Sequence, residues 1–337
     1  MSTVGVIANP SSGKDIRRLV ARGSVFDNNE KVNIVRRALL GLDSVGVRRV
    51  VFMPDYFSIV PRALDGARLR LRAEALQMAV EADQRDSIRA ARLMAEAGVA
   101  CVITLGGDGT NRAVAHGCGE VPLVPVSTGT NNVFSVMVEG TLAGLAAGLV
   151  AVRAVEPAEV TRPTKRLDVL LDGERVDLAL VDVAFSRERF VGSRAIWNPY
   201  AVRELVLAQA EPGSIGLSAI GAHLRPVSRN AAQGLYLRLA NPASGGREEE
   251  TPEVQVLAPI APGLVTPVGV RAHRLLEVGE TVELEPAHGC LALDGEREMV
   301  VQPRQRVAVK LTFDGPRVVD VERTLGLATR RGWFAVR

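Results

Sequence analysis

"VITLGGDGTN", residues 102–111, is the stretch on which the fold turns. An apolar, partly β-branched run, Val102 to Leu105, stops at Gly106 and Gly107. Asp108, Gly109, Thr110 and Asn111 follow, and "TNRAVAHG" (110–117) opens a helical pattern. A short apolar run closed by glycines reads as a buried strand, so the segment predicts strand, polar turn and helix in succession.

The same grammar runs through the first half. "VGVIAN" (4–9), "RVVFMP" (49–54), "VACVITL" (99–105) and "VPLVPV" (121–126) read as strands. "EALQMAV" (74–80) fits strand or helix by itself, and its place among the others favours strand. "NEKVNIVRRALLGL" (29–42) sets Val32, Val35, Leu39 and Leu42 on one helical face. "DSIRAARLMAEAG" (86–98) predicts a helix with Asp86 or Ser87 as N-cap and Gly98 as its stop. "TLAGLAAGLVAVRA" (141–154) is also helical in pattern. Strands alternating with helices imply a parallel sheet covered on both faces.

Beyond about residue 155 the pattern changes. "RLDVLLDGERVDLALVDVAF" (166–185) alternates around a central Asp-Gly turn. "GLYLRLA" (234–240), "EVQVLAPI" (253–260), "ETVELEP" (280–286) and "RVAVKLTFDG" (306–315) are further strand candidates, and "ASGGREEE" (243–250) reads as an exposed loop. The expected fold class is α/β plus β. A Rossmann-like parallel α/β domain spans residues 1–153 and a mainly antiparallel β domain spans 154–317. The tail, about 318–337, starts in a helical pattern and is expected to pack back on the first domain.

Composition bounds the function. A chain of 337 residues accommodates about two domains, and 47% hydrophobic residues supply their cores. A net charge of +3 suits an anionic ligand but is too small to indicate nucleic acid, and no basic run is interleaved with aromatics. Cys101, Cys118 and Cys290 form no CxxC pair, and the four histidines show no metal-ligand spacing. The start "MSTVGVIANP" lacks the features of a signal peptide. The apolar stretch from Gly140 is too short and glycine-rich to span a bilayer. The expectation is a cytoplasmic protein with small-molecule partners, without nucleic acid or a membrane span.

Open parallel sheets bind ligands beyond the carboxyl ends of their strands. Three polar, glycine-rich turns follow predicted strands there: "NPSSGK" (9–14), "GGDGTN" (106–111) and "STGTNN" (127–132). Glycine permits positive φ and close approach of backbone to a ligand, and successive N–H groups make an anion-binding concavity. Ser12, Lys14, Thr110, Thr128 and Thr130 are further donors. "NPSSGK" lacks the GxxxxGK[ST] spacing of a P-loop. Three such turns at three strand ends suggest a polyphosphate ligand.

"GGDGT" resembles the signature of the NAD kinase and diacylglycerol kinase superfamily, and the two-domain order matches it. "NPSSG" is similar to the NPxSG motif of the lipid-kinase branch, and "GTNN" (129–132) to the GTxND loop. "LDGERE" (293–298) resembles the late DGE turn of the β domain. "STGTNNVF" and "FVGSRAIWNP" (190–199) are closest to the ATP-NAD kinase family that includes acetoin catabolism protein X.

The resemblance implies phosphoryl transfer from ATP, with Mg²⁺, to an acceptor hydroxyl. The expected acceptor is NAD, giving NADP. Other metabolites or lipids of the same fold's kinases, a polyphosphate donor and a non-catalytic nucleotide sensor are the alternatives. Asp108 is the implied catalytic carboxylate. Asn9, Ser12, Gly13, Lys14, Gly106, Gly107, Gly109, Thr110, Asn111, Thr128, Gly129, Thr130 and Asn131 would shape the nucleotide site. Asn132, Asp182, Arg194, Trp197 and Asn198 would face the acceptor. Asp294 and Glu296 would support metal or catalysis, or form an ordinary Asp-Gly hairpin. In "ALVDVAF" (179–185), Val181 stands where NAD kinases carry the Asn of an Asn–acid pair, leaving Asp182 alone. The family also suggests a homo-oligomer through the β domain.

Overall fold

The structure is a computed structural model that describes residues 2–13, 27–129, 131–188, 196, 198–240, 251–285 and 289–335. The first half is a parallel sheet of β3 (Arg72–Ala75), β2 (Arg49–Phe52), β1 (Thr3–Ala8), β4 (Cys101–Gly106) and β5 (Leu123–Ser127), in that order. Each neighbouring pair is parallel. β1 and β4 are buried along their whole length, as expected of strands covered on both faces.

On one face, helices α1 (Asn28–Ser44) and α5 (Gly140–Ala151) bury Val35, Leu39, Leu42, Ala143 and Leu149 against Val4, Val6 and Ile103. On the other, α3 (Gln84–Glu96) buries Ala90, Ala91 and Met94 against Ile7, Val51 and Val102. Asp83, not Asp86 or Ser87, caps α3 by accepting from the Arg85 N–H. Asp86 instead accepts from the N–H groups of Glu81 and Ala82. Between these elements lie α2 (Ile59–Leu64) and α4 (Asp108–Ala115), the latter continuing from the GGDGT turn.

In the second half, a short helix α6 (Pro157–Val160) leads into β6 (Thr161–Leu171) and β7 (Glu174–Ala179). A seven-stranded antiparallel sheet follows the order β11 (Val254–Ala261), β12 (Leu264–Glu277), β10 (Gln233–Leu239), β9 (Val202–Leu207), β8 (Asp182–Ser186), β14 (Gly289–Leu293), β15 (Glu296–Val301). Helix α7 (Ser218–Leu224) packs against β11. The predicted fold class, parallel α/β followed by antiparallel β, is the observed one.

The two halves share a strand. β16 (Val307–Val319) runs antiparallel to β6 and to β13 (Thr281–Leu284), and meets β5 in parallel at Val318 and Leu123. It therefore joins β6 and β7 to the parallel strands in one sheet of nine. The last helix among the described residues, α8 (Val321–Arg330), is capped by Asp320, lies on α5 and adds Ala328 to the first core. Among the described residues, no helix is long and apolar enough to cross a membrane. "ASGGREEE" lies outside the described residues.

Candidate active site at the ends of three parallel strands

β1, β4 and β5 are adjacent and parallel, so their carboxyl ends open side by side. The three turns that follow are bonded to one another. Asn9 Nδ2 donates to Thr110 Oγ1 at 2.9 Å, and the Ser12 and Thr128 hydroxyls are 2.9 Å apart. The Thr128 N–H donates to the Gly106 carbonyl (3.3 Å), and the Asp108 N–H to Asn132 Oδ1 (3.3 Å). Lys31, fully buried on α1, donates to the carbonyls of Asn9, Pro10 and Ser12 at 2.7–3.1 Å. A buried ammonium needs such partners, and in finding them it fixes the first turn from below.

The motif glycines are needed for space. Of the glycines predicted for the site, only Gly13 has a positive φ, 73°. A Cβ on Gly106 would lie 2.5 Å from Thr110 Oγ1, and one on Gly107 2.8 Å from Asn132 Oδ1. Gly107 is the N-cap of α4 and offers no side-chain acceptor to the first turn. The Gly109 N–H has no protein acceptor among the described residues. A helix start with an open N–H, set among part-exposed Asn9, Ser12, Gly107, Gly129 and Asn131, has the polarity to receive an anion.

The carboxylates lie behind this rim. Asp108 turns inward and accepts from the N–H groups of Val133 (2.7 Å), Phe134 (3.0 Å) and Ser135 (3.1 Å), and from the Ser135 hydroxyl (3.4 Å). Burial raises its pKa, and the N–H groups oppose that rise. Asp294 and Gly295 (φ 52° and 75°) form the two-residue turn between β14 and β15. Asp294 accepts from the N–H groups of Leu180, Val181 and Asp182, and Asp182 Oδ1 accepts from Gly295 N–H at 3.2 Å. Burial first, and then the neighbouring Asp182, push Asp294 well above the usual carboxylate range. Glu296 is only half-buried, its carboxylate 3.6 Å from where a Cβ on Gly109 would be.

Arg112, which sequence reasoning missed, ties these groups together. It is 3% exposed and projects from α4 to Asp177 on β7 (3.2 Å) and Glu298 on β15 (2.5 Å). Its Nε lies 4.0 Å from Asp294 and lacks a hydrogen-bond acceptor. His116 Nε2 reaches the same Asp177 at 2.9 Å.

The remaining predicted residues fall in distinct places. Asn111 is fully buried, accepting from Thr104 Oγ1 and donating to the Gly107 carbonyl, so both amide atoms are used inside the protein. Asn132 braces its own turn through Ser127 Oγ and the Gly129 carbonyl, in addition to holding Asp108 N–H. Asn198 accepts from the Tyr200 N–H and begins a short 3₁₀ turn. The Ile196 N–H donates to the Gly295 carbonyl, which sets that segment beside the Asp294 turn. Val181 is 1% exposed and packs with Phe134, Leu180 and Val318, not toward a ligand. Lys14, Thr130, Arg194 and Trp197 lie outside the described residues.

Both halves of the chain resemble known proteins. Residues 4–154 match the ATP-NAD kinase N-terminal domain, and residues 165–314 match the acetoin catabolism protein X C-terminal domain. Acetoin catabolism protein X of Cupriavidus necator is 42% identical over 340 residues, covering 97% of this chain and 92% of that protein. Among solved structures, a diacylglycerol kinase-like protein of Bacillus anthracis str. Sterne superposes with a TM-score of 0.48 at 15% identity, over 94% of this chain and 98% of its own. Yeast NADH kinase complexed with NADH gives 0.45 at 14% identity, over 100% of this chain and 89% of its own.

Proposed function

The chain belongs to the ATP-NAD kinase family that includes acetoin catabolism protein X, and from that membership we propose that it is a kinase. It transfers the γ-phosphoryl group of ATP to a hydroxyl of a small-molecule acceptor, with NAD the first candidate. The supporting observation is the convergence of three hydrogen-bonded turns on the open start of α4. Phosphoryl transfer asks the protein for positioning and charge stabilisation more than for covalent chemistry. The α4 N-terminus and the rim of Asn9, Ser12, Gly107 and Asn131 supply donors of that kind.

Two carboxylates have separate tasks in this reading. Asp108 fixes residues 133–135 beside the phosphate turn, and serves as acceptor base only when that segment moves. Glu296, part-exposed over Gly109, stands ready to orient the acceptor hydroxyl. Among the described residues, no three acidic, histidine or cysteine side chains converge as a metal cage. The residues present fit Mg²⁺ as a companion of ATP, held largely by phosphate oxygens and water with Glu296 nearby. Bound so, Mg²⁺ would neutralise phosphate charge.

The buried Val181 favours a second reading, an acceptor other than NAD. It provides no amide where NAD kinases use one, and its side chain is committed to the core. Purified protein with Mg-ATP and NAD should form NADP, read by enzymatic cycling. No NADP, with ADP released on a panel of other hydroxyl compounds, would move the assignment to that second reading. ATP binding without turnover on any acceptor would leave a sensor. Glu296→Gln should lower kcat about 100-fold or more while Tm stays within about 2 °C, because the group is part-exposed and makes no side-chain hydrogen bond among the described residues. Unchanged kcat would remove Glu296 from the chemistry.

A further inference from the structure

Behind residues 133–138 lies a cavity of about 440 Å³, within the range of small-ligand sites. Two of its wall residues also hold the active-site carboxylates. Phe134 lines the cavity while its N–H donates to Asp108, and Leu180 lines it while its N–H donates to Asp294. β5, β16 and α8 complete the apolar wall, with Val318 and Leu325 inside and Met137, 65% exposed, at the mouth.

Gln209 and Arg162, both on this cavity, make no side-chain hydrogen bond among the described residues. Gln209 is 5% exposed, and neither atom of its amide makes a hydrogen bond among the described residues. Amides shut off from water are nearly always bonded; this one keeps access to the cavity, where a polar group that enters can bond it. Arg162 on the same cavity makes no side-chain hydrogen bond among the described residues, and Glu211, the acid whose charge acts on it, is already paired with Arg229. Its neighbours are already engaged: Arg229 by Glu211 at 2.9 Å, and Lys165 by the carbonyls of Ser228 and Gln233. The acidic side chains on this cavity, Asp320 and Glu322, belong to the α8 end, and Asp320 is occupied in capping that helix.

We propose that this cavity is a second binding site, for an amphiphile with an apolar body and a carboxylate head. The head meets the Arg162 guanidinium and the Gln209 amide, and the body lies along Phe134, Leu180, Val318 and Leu325. The acidic α8 end disfavours the opposite orientation. The site is separate from the phosphate turns but shares two wall residues with the carboxylates behind them.

Isothermal titration of the full chain with sodium decanoate tests this without any measurement of turnover, so its outcome is independent of the kinase assignment. Decanoate should bind saturably at one site. Decanol should bind about tenfold more weakly or worse, and acetate should give no saturable heat. Gln209→Leu and Arg162→Ala should each weaken decanoate by about tenfold, and Leu325→Trp, which fills the cavity, should abolish it. Methyl NMR of the wild-type protein locates the ligand should a variant fail to fold, with shifts expected at Met137, Val318 and Leu325. Absence of saturable heat, equal affinity for decanol, undiminished binding by both polar variants, or shifts confined elsewhere would overturn the proposal.

Discussion

Asp108 accepts four hydrogen bonds from residues 133–135, so changing it alters more than a charge. Asp108→Asn turns an NH₂ group toward N–H donors and leaves at least one of them unpaired. That costs about 1–3 kcal/mol, which lowers Tm by several degrees. Turnover should fall together with Tm, and ATP affinity should weaken because the neighbouring turn loosens. A variant with wild-type Tm and no turnover would instead make Asp108 a purely chemical residue, which calorimetry beside a kinetic assay decides. The three turns were readable in the sequence because glycines after apolar runs have few other uses. Sequence reasoning also missed Lys31, although its signal was visible as a lysine on the stripe of Val35, Leu39 and Leu42. Arg112 was not, since its partners Asp177 and Glu298 lie 65 and 186 positions away.

At the level of elements, the glycine-rich α5 is a close-packing surface. A Cβ on Gly144 would fall 2.1 Å from the Ala38 carbonyl of α1, and one on Gly41 2.5 Å from the Thr141 carbonyl of α5. The obstruction is backbone, which cannot rotate away. Gly144→Ala should therefore destabilise the protein by about 2 kcal/mol or more, although alanine is the better helix former. A denaturant titration showing higher stability would mean the helices separate freely.

The pentapeptide LDGER occurs twice, at 171–175 and 293–297, each time as a hairpin turn with positive φ at Asp and Gly. Asp172 is exposed, whereas Asp294 is buried under three N–H groups. Turn chemistry was thus legible, but the use of its aspartate depends on what folds over it. β12 escaped sequence reading because Pro267 and a run of basic residues obscure its alternation; β10 and β11 on either side provide its pairing. The α3 cap moved from Asp86 to Asp83 for a similar reason, since Asp86 is bonded to the N–H groups of Glu81 and Ala82.

For the molecule as a whole, the sequence divides at about residue 153, but the large sheet does not. β16 belongs to both halves, and Val319 and Ala328 stand in the same core as Val4. We propose 1–153 and 154–317 as units of sequence that unfold together. Calorimetry should show one transition, and two resolved transitions would contradict the shared sheet. Stability should also depend on pH through Asp294, which is buried between the halves. Its folded pKa is raised well above the ordinary aspartate value of 3.8, so its favourable contribution is complete below that pH and is lost as pH rises through the folded value. Asp294→Asn cannot ionise. The stability of wild type relative to this variant should therefore decline as pH rises from 4 toward neutrality, as read from Tm. A constant difference would remove the buried charge from the balance.

β16 follows every one of its pairing partners in the chain, yet lies in the interior of the nine-stranded sheet between β5 and β6. During synthesis, the ribosome releases the parallel strands and β6 with their facing edges unpaired. They wait until residues 307–319 emerge and close the gap. Such long-range closure is slow and leaves strand edges open to neighbouring chains in the interval. The nascent protein is thus most exposed to aggregation before residues 307–319 emerge, when most of the hydrophobic residues of both sheets have been made and the strand that unites them has not.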